Sequence, residues 1–453
     1  MKQPRPSARR HLPRADHPAE RAEVRRPSPL PGSAPQPLLL PPPRPARVEA
    51  RVEKPAASRA SRRGLDWFAF FLANMQTGFG PFVAVYFTTQ RWTQADIGLV
   101  LTIGGLVSLF GQVPGGALVD AVRSKRLVAG LSVAIIAASA AMIALWPVFP
   151  VVLLAMVIHS VGSCMLTPAI AAMSLGLVGH DRIGERLGRN ASFSAVGSAI
   201  AAAAMGACGY YVSNEAVFYV TAALVVPSLM ALSAIRPAEI DARVSAGGGA
   251  PATSGGWSTL LRSRPLAALV VCITLFYLGN AAMLPLAGSW VTVRASDLAP
   301  VLIAACIVVP QLVTAGLSPW IGRAAQRWGR RPLLLIGFAA LPVRGALFAT
   351  ISDPHLLVVL QVFDGIAAAV LGVLVPLIVA DSTRATGRFS VALGAVGTAM
   401  GLGAAASTYA AGTMADKLGT QTAFLGLAAV GAAAFVLAAL VMPETRRRGR
   451  SPA

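Results

Sequence analysis

Twelve long apolar segments recur along this sequence, and each has about the length of a helix that crosses a lipid bilayer. One of them, VLIAACIVVPQLVTAGLSPWI, covers residues 301–321. At 1.5 Å per residue, about 20 such residues match the roughly 30 Å hydrocarbon core of a membrane. Only 13% of the residues are charged, against about 25% in an ordinary soluble domain. We therefore predict an all-α membrane protein with 12 transmembrane helices.

The spans fall into two sets of six. Most connections are very short, but residues 236–265 contain AGGGAPATSGG, which has the composition of a flexible linker. We predict an N-terminal six-helix bundle at 64–236, a cytosolic linker at 237–265 and a C-terminal six-helix bundle at 266–445. The spans are predicted at residues 66–88, 96–119, 127–147, 150–176, 190–212, 215–235, 266–291, 299–321, 333–351, 355–380, 390–414 and 421–442.

The two ends of the chain differ in composition from the rest. Residues 1–63 hold 14 of the 33 prolines, and such a segment cannot bury enough apolar surface to offset the entropy of ordering. We predict a disordered basic Pro-rich N-terminal tail at 1–63 that is dispensable, and a basic C-terminal tail at 446–453. An N-terminal tail held near anionic lipid is the alternative.

Basic residues lie almost wholly in alternate connections between the spans. With the N-terminus inside, the inner connections and the C-terminal tail hold 20 Lys and Arg, whereas the outer ones hold only Arg91, Arg294 and Lys417. Inner loops of membrane proteins are enriched in this way. We predict an integral protein of a bacterial inner membrane with both termini cytosolic. Because the charge lies between apolar segments, we expect no nucleic acid as a partner.

Two loops carry related motifs 206 positions apart. GALVDAVRSKR covers residues 116–126 and GRAAQRWGRRP covers 322–332. They resemble the loop motif of the major facilitator superfamily, which reads roughly G-x-L-a-D-r-x-G-r-r after the second span and recurs after the eighth. LAN at 72–74 and LGN at 278–280 share the same offset, which indicates a parallel repeat. The residues assigned to the two loops are Gly116, Asp120, Arg123 (where glycine is usual), Gly322, Arg327, Gly329, Arg330 and Arg331.

The resemblance implies two pseudo-symmetric six-helix bundles around a central site that opens alternately to each side. It also implies that the two loops lock a cytosolic gate, and that spans 1, 4, 7 and 10 line the cavity. We expect a secondary active transporter, functional as a monomer, whose partners are a small organic solute, the proton and membrane lipid. The proton gradient is the expected energy source, with no cofactor or metal. The alternatives are a membrane-embedded lipid-modifying enzyme, for which no clustered catalytic set is found, and a transporter-like solute sensor.

Polar residues inside the predicted cavity spans are the candidates for solute binding, because polar groups in a bilayer are energetically costly. For the asparagines the alternative is a hydrogen bond between helices. His159 is either a proton carrier or a packing residue whose hydrogen bonds are satisfied. Asn74 and Asn280 occupy equivalent positions of spans 1 and 7, so we expect them to face one another across the cavity. The predicted cavity residues are Asn74, Gln76, His159, Asn280 and Gln361.

Arg344 and Asp364 are predicted to form a pair. Arg344 is 11 residues into span 9, roughly 17 Å from one edge, and Asp364 is 9 residues into span 10, roughly 14 Å from the other edge. In a core of about 30 Å both lie near the midplane, where an unpaired charge costs at least about 2.5–3.5 kcal/mol. The pair is either a static link between helices or the group that couples proton movement to transport.

Overall fold

A computed structural model describes residues 57–79, 81–248, 263–294, 299–351, 353–384 and 386–446. This part of the chain is helical. The predictions for residues 1–56 and 447–453 lie outside it. The helices are α1 (Arg59–Thr77), α2 (Pro81–Thr89), α3 (Gln94–Ala121), α4 (Lys125–Leu145), α5 (Phe149–Tyr211), α6 (Ala216–Ala223), α7 (Val225–Ser233), α8 (Ala242–Ser245), α9 (Arg264–Asn280), α10 (Met283–Arg294), α11 (Ala299–Trp328), α12 (Arg331–Thr350), α13 (Pro354–Ser382), α14 (Phe389–Leu418) and α15 (Thr420–Val441).

Eleven helical stretches of the described residues are long and apolar enough to cross a membrane, and α5 contains two crossings. Gly179 breaks its 63 residues with a φ of 70° and a ψ of 178°. The Asn190 amide donates a hydrogen bond of 2.7 Å to Ser174 Oγ, although 16 residues of continuous helix would separate them by about 24 Å. The chain therefore reverses at Gly179, and the prediction of twelve membrane helices is confirmed.

The helices pack mainly within their own half of the chain. In the first half α5 packs against α1, α3 and α4. In the second half α9 packs against α14 and α15, while α11 and α12 pack against α13. The halves meet where α3 contacts α14 and where α5 contacts α11. This is the arrangement of two six-helix bundles that the repeat predicts.

Span 7 is interrupted where it approaches the candidate site. Pro285 has no N–H to bond the carbonyl of residue 281, so a continuous helix loses a hydrogen bond there. Helix α9 accordingly ends at Asn280 and α10 begins at Met283. The freed N–H of Ala282 donates to Ser407 Oγ of α14 at 3.1 Å. The break leaves Asn280 at the end of α9.

The first helix begins earlier than the sequence predicts. Ser58 is the N-cap of α1 and accepts a hydrogen bond from the Ser61 N–H at 3.1 Å. The N–H and hydroxyl of Ser58 also donate to Glu239 Oε2, at 2.9 and 3.0 Å. The predicted tail boundary at residue 63 is therefore too late. Hydrophobicity begins only at Leu65, whereas a helix can start from a capping serine in a polar segment.

The first part of the predicted linker is ordered. Residues Pro237–Glu239 form a 3-10 turn, followed by α8. The Asp241 N–H donates to Gly176 O of the first half at 3.0 Å, and the Phe389 N–H of the second half donates to Ala246 O at 3.2 Å. Residues 237–248 of the predicted linker are thus an ordered segment and not a flexible one, because tertiary hydrogen bonds fix this backbone. Residues 249–262 lie outside the described part.

The Ser58 contacts define which N-terminal deletion should be tolerated. We expect removal of residues 2–56 to leave thermal stability unchanged, and removal of residues 2–60 to lower it. The longer deletion removes the cap of α1, which is worth about 1 kcal/mol, and both hydrogen bonds to Glu239. Thermal unfolding of the two shortened proteins in detergent measures the difference. Equal stability would show that the Ser58 contacts contribute nothing.

Candidate functional site

Arg344 of α12 is the centre of a polar cluster in the second half. Its side chain is 3% exposed and forms an ion pair with Asp364 of α13, whose side chain is 27% exposed. Its Nη2 donates to Asn280 Oδ1 at 2.6 Å, and its Nη1 donates weakly to Gln361 Oε1 at 3.4 Å. Three helices, α9, α12 and α13, therefore converge on one guanidinium group. Arg344 and Asp364 are predicted to pair because both lie near the middle of the bilayer, and the ion pair joins them. Its role in coupling stays a prediction.

Close helix packing positions the Asp364 side of the cluster. The next residue, Gly365, lies against α11, and an added Cβ there would stand 2.8 Å from Pro310 O and 2.5 Å from the Val313 side chain. Only a glycine permits this approach. Thr314 of α11 completes the contact by donating to Gly365 O at 3.2 Å. Helix α13 is thereby held with Asp364 turned toward α12.

The cluster still has unused hydrogen-bonding capacity. Arg344 Nε and Gln361 Nε2 are buried, and neither has a hydrogen-bond partner among the described residues. Of the pair, the carboxylate is the more accessible group. A buried arginine that loses its carboxylate partner is destabilised by several kcal/mol, since its charge is then uncompensated. Any change in the charge of Asp364 will therefore act directly on Arg344 and on the amides bound to it.

Asn74 and Asn280 have different surroundings. Asn74 is buried, donates to Phe70 O at 3.0 Å and packs against α5 at Gly197. This is a packing environment, whereas Asn280 accepts a hydrogen bond from Arg344. That the two asparagines face one another across a cavity stays a prediction. The physical reason for the different surroundings lies in the neighbouring helices. The positions equivalent to Arg344 and Asp364 in the first half are Ala138 and Ile158, which give Asn74 no charged partner.

The two remaining cavity candidates in the first half have different surroundings. Gln76 is exposed. His159 is stacked on Phe79, with ring centroids 3.7 Å apart and an angle of 21° between the planes. Its Nε2 lies 3.3 Å from Ser163 Oγ, and its buried Nδ1 has no partner in the described chain. In the first half, His159 is therefore next to an aromatic ring and a hydroxyl group, whereas the charged cluster around Arg344 lies in the second half.

A second set of contacts joins the halves at one side of the molecule. This side contains the connections after α3, α7, α11 and α13 and the turn at Gly179. We call it the basic side, because these connections hold most of the Lys and Arg residues outside the N-terminal segment. Asp120, near the end of α3, accepts hydrogen bonds from the Ser390 N–H at 3.0 Å and the Val391 N–H at 2.9 Å. These are first-turn donors of α14 that lack partners inside their own helix. A carboxylate at this end also interacts favourably with the helix dipole.

Glycines bring the halves into backbone contact on the basic side. A Cβ added at Gly322 of α11 would stand 2.3 Å from Gly184 O of α5, and one at Gly116 of α3 would stand 2.2 Å from Ser390 O. Distances this short leave no room for any side chain. Two of the three glycines predicted from the loop motifs therefore lie at the contact between the halves. The third, Gly329, has a φ of 100° and lies against Glu444 within the second half.

The arginines predicted from the two loop motifs divide into two groups, those whose side chains bind other residues of the described chain and those whose side chains do not. Arg330 binds Asp381 at 3.0 Å and Ala325 O at 2.8 Å. Arg331 binds Ala439 O at 2.5 Å. By contrast, the side chains of Arg123 and Arg327 are exposed and have no hydrogen bond or ion pair among the described residues.

Several charged residues of the basic side were missed by sequence reasoning. Glu444 Oε1 and Oε2 accept from the N–H groups of Arg330 and Arg331 at 3.0 and 3.1 Å and thereby cap α12. Asp66 is buried and forms ion pairs with Arg186 and Arg189. An acidic residue at the basic end of an apolar span was the available signal for Asp66, since such a carboxylate needs a cation.

Twelve membrane helices in two bundles, with a charged cluster between helices and glycine contacts between halves, define a membrane transport fold. The family model of the Major Facilitator Superfamily matches residues 67–341 and 269–453. Two Mycobacterium tuberculosis proteins, described as uncharacterized MFS-type transporters, are each 36% identical over 389 residues, covering 84% of this chain and 93% of theirs. The chain belongs to the Major Facilitator Superfamily and is an integral membrane protein.

Solved structures show the same fold at low sequence identity. The human organic anion transporter MFSD10 superposes with a TM-score of 0.63 at 14% identity, covering 84% of this chain and 98% of that one. The E. coli fucose:proton symporter FucP gives a TM-score of 0.65 at 15% identity with the same coverage. At these identities the likeness describes the arrangement of helices. Membership of this family supports secondary transport of a small solute.

Proposed function

We propose that this protein is a proton-coupled secondary transporter of a small organic solute that works by alternating access. The observation that carries the proposal is the Arg344–Asp364 ion pair, in which a partly exposed carboxylate is bound to a buried arginine. Protonation of Asp364 neutralises it and leaves Arg344 with neutral acceptors, which are the amide oxygens of Asn280 and Gln361 and the sulfur of Met283. The guanidinium group then becomes available to an acceptor on the solute. Proton binding and solute binding are coupled because the carboxylate that takes up the proton and the acceptor on the solute both interact with the Arg344 guanidinium group.

The proposed conformation is closed on the basic side. Support comes from the Asp120 hydrogen bonds to α14 and from the Ser192 hydroxyl of α5, which donates to Ala315 O of α11 at 2.7 Å. Toward the opposite ends of α3 and α14, Gly98 and Gly412 have no atom within 4 Å of an added Cβ. Opening then requires α3 to separate from α14 and α5 from α11. In this proposal the basic side is cytosolic, as are both termini, and the mycobacterial relatives favour a bacterial plasma membrane.

Uptake into proteoliposomes tests the proposal. Purified protein is reconstituted and supplied with radiolabelled sugars and organic anions, the solute classes of the similarly folded FucP and MFSD10. The panel is then widened to other small metabolites. Each compound is measured with and without an imposed pH gradient. We expect accumulation above equilibrium only with the gradient. Equal accumulation in both conditions for every transported compound contradicts proton coupling.

The Asp120 contact gives a further prediction. Asp120→Asn keeps one acceptor oxygen for the Ser390 and Val391 N–H groups but loses the charge that favours a helix N-terminus. We expect slower transport with little change in expression, because the contact forms in only one conformation. Transport rate, expression level and thiol accessibility from each side are compared with the unmodified protein. Collapse of expression, or unchanged accessibility, contradicts this role.

A further inference from the structure

The outer face of α11 at the basic side carries two tryptophans and two arginines. Trp320, Arg323, Arg327 and Trp328 follow one another at spacings of three, four and one residues, so they share one face of the helix. With Ala324 they line a surface groove of about 230 Å³. The tryptophan side chains are 44% and 58% exposed, and their rings meet edge to face with centroids 5.3 Å apart.

The positive charge in this groove is not neutralised. No carboxylate oxygen of the described residues lies within 4 Å of the guanidinium groups of Arg323 or Arg327. The carboxylate that follows α15, Glu444, is occupied by the backbone of the α11–α12 loop. A third cation stands beside the groove, because Arg446 Nη1 donates to Arg327 O at 2.5 Å. Among the described residues, the positive charge of the groove is therefore uncompensated, and a bound anion would neutralise it.

The position of the groove matches the boundary between hydrocarbon and headgroups. Trp320 and Trp328 are separated by eight residues, or about 12 Å along the helix. The headgroup layer on each side of a bilayer is roughly 5–8 Å thick. A groove of this length at the end of a membrane helix extends from the edge of the hydrocarbon into the headgroup layer. Tryptophan is enriched at that boundary, where its ring contacts both environments.

We propose that this groove is a binding site for an anionic phospholipid. The phosphate binds Arg323 and Arg327, whose guanidinium groups match phosphate oxygens in a bidentate manner. The part of the acyl chain nearest the headgroup lies against Trp320, and Trp328 covers the headgroup. The anion distinguishes this site from the general lipid-covered surface of the protein.

A second aromatic groove provides an internal comparison. This groove, of about 260 Å³, lies between α1 and α5 and is lined by Trp67, Phe70, Ser192, Phe193, Val196 and Ile200. The cation above Phe193 is Arg189, which is paired with the buried carboxylate of Asp66. Its charge is already balanced. We therefore expect this groove to take acyl chains without selecting the headgroup.

Binding of phosphatidylglycerol and phosphatidylcholine to the purified full chain, measured by native mass spectrometry, tests the site. We expect Arg323→Gln/Arg327→Gln to weaken phosphatidylglycerol binding about 25-fold, from roughly fivefold per arginine, and to leave phosphatidylcholine binding unchanged. Trp320→Phe/Trp328→Phe should weaken both lipids by a few-fold. The matched control is Arg182→Gln/Arg243→Gln, which removes two exposed arginines of the basic side outside the groove.

The control decides between a site and general attraction. An equal loss in both double arginine variants, or no loss in the groove variant, overturns the proposal. Elution as a single symmetric peak in gel filtration establishes that each variant is folded, which is expected because all four arginines are exposed. If the groove variant is misfolded, Arg323→Lys/Arg327→Lys is measured in its place. It keeps the charge but loses the bidentate geometry, so binding equal to that of the unmodified protein contradicts the guanidinium–phosphate assignment.

Discussion

Asp364→Asn is expected to abolish solute accumulation driven by a pH gradient while downhill exchange of the same solute continues. The amide has nearly the same shape as the carboxylate and still offers an oxygen to Arg344. Unlike the carboxylate, it can neither bind nor release a proton at the pH values of a transport assay. Without that proton the solute moves only down its own gradient. The accumulation ratio in proteoliposomes should fall to about one, whereas counterflow of labelled solute stays measurable.

Two further variants separate coupling from stability. The loss of the Asp364 charge leaves a buried arginine uncompensated, which can cost several kcal/mol. Arg344→Gln/Asp364→Asn removes both charges, and recovery of both activities in this double variant would show that the pair is structural. Asp353→Asn is the matched control, because it changes an exposed carboxylate at the start of the same helix and keeps its capping oxygen. If Asp364→Asn still accumulates solute, coupling lies elsewhere, and His159 is the next candidate.

Gly322→Ala is expected to slow transport strongly by preventing closure of the basic side. The added methyl group meets Gly184 O at 2.3 Å, and a backbone atom cannot turn away as a side chain can. Overpacking of this kind costs about 1–3 kcal/mol. The clash exists only when the halves are together, so the closed state should lose roughly 5- to 150-fold in population.

Gly316→Ala on the same helix is the control for this prediction. An added Cβ at Gly316 has no atom within 4 Å, so the two variants share the gain in helix propensity and differ only in the contact. A cysteine at Gln112, which contacts Gly394 and Gly397 across the halves, reports closure through its reactivity in a background without native cysteines. Reactivity and transport should change in Gly322→Ala alone. Identical behaviour of the two variants contradicts the role assigned to this contact.

Bilayer thickness made the membrane helices predictable from sequence. A span needs about 20 apolar residues and ends where charge begins, so most predicted boundaries agree with the helices. The same depth scale placed Arg344 and Asp364 at one level, and the cost of a lone charge in lipid required a partner for each. Pseudo-symmetry was a weaker guide, since it relates backbone positions and not their environments. It paired Asn74 with Asn280, although only Asn280 has an arginine on a neighbouring helix.

The sequence by itself determined that this chain spans a membrane twelve times, in two repeated halves, with one pair of opposite charges near the midplane. These properties follow from the lengths of the apolar segments, the spacing of the charged residues and the cost of placing a charge in lipid. All three can be read from the order of residues along the chain. Only the tertiary structure decided that Asn280 and Gln361 join the Arg344 cluster, and that Asp120 holds the start of α14, 270 residues away. It also decided that the Arg330 side chain pairs with Asp381, while the side chains of Arg323 and Arg327 pair with no carboxylate of the described residues. Such contacts depend on helix rotation and on which helices are neighbours, and neighbouring helices are set by packing between residues that lie far apart in the chain.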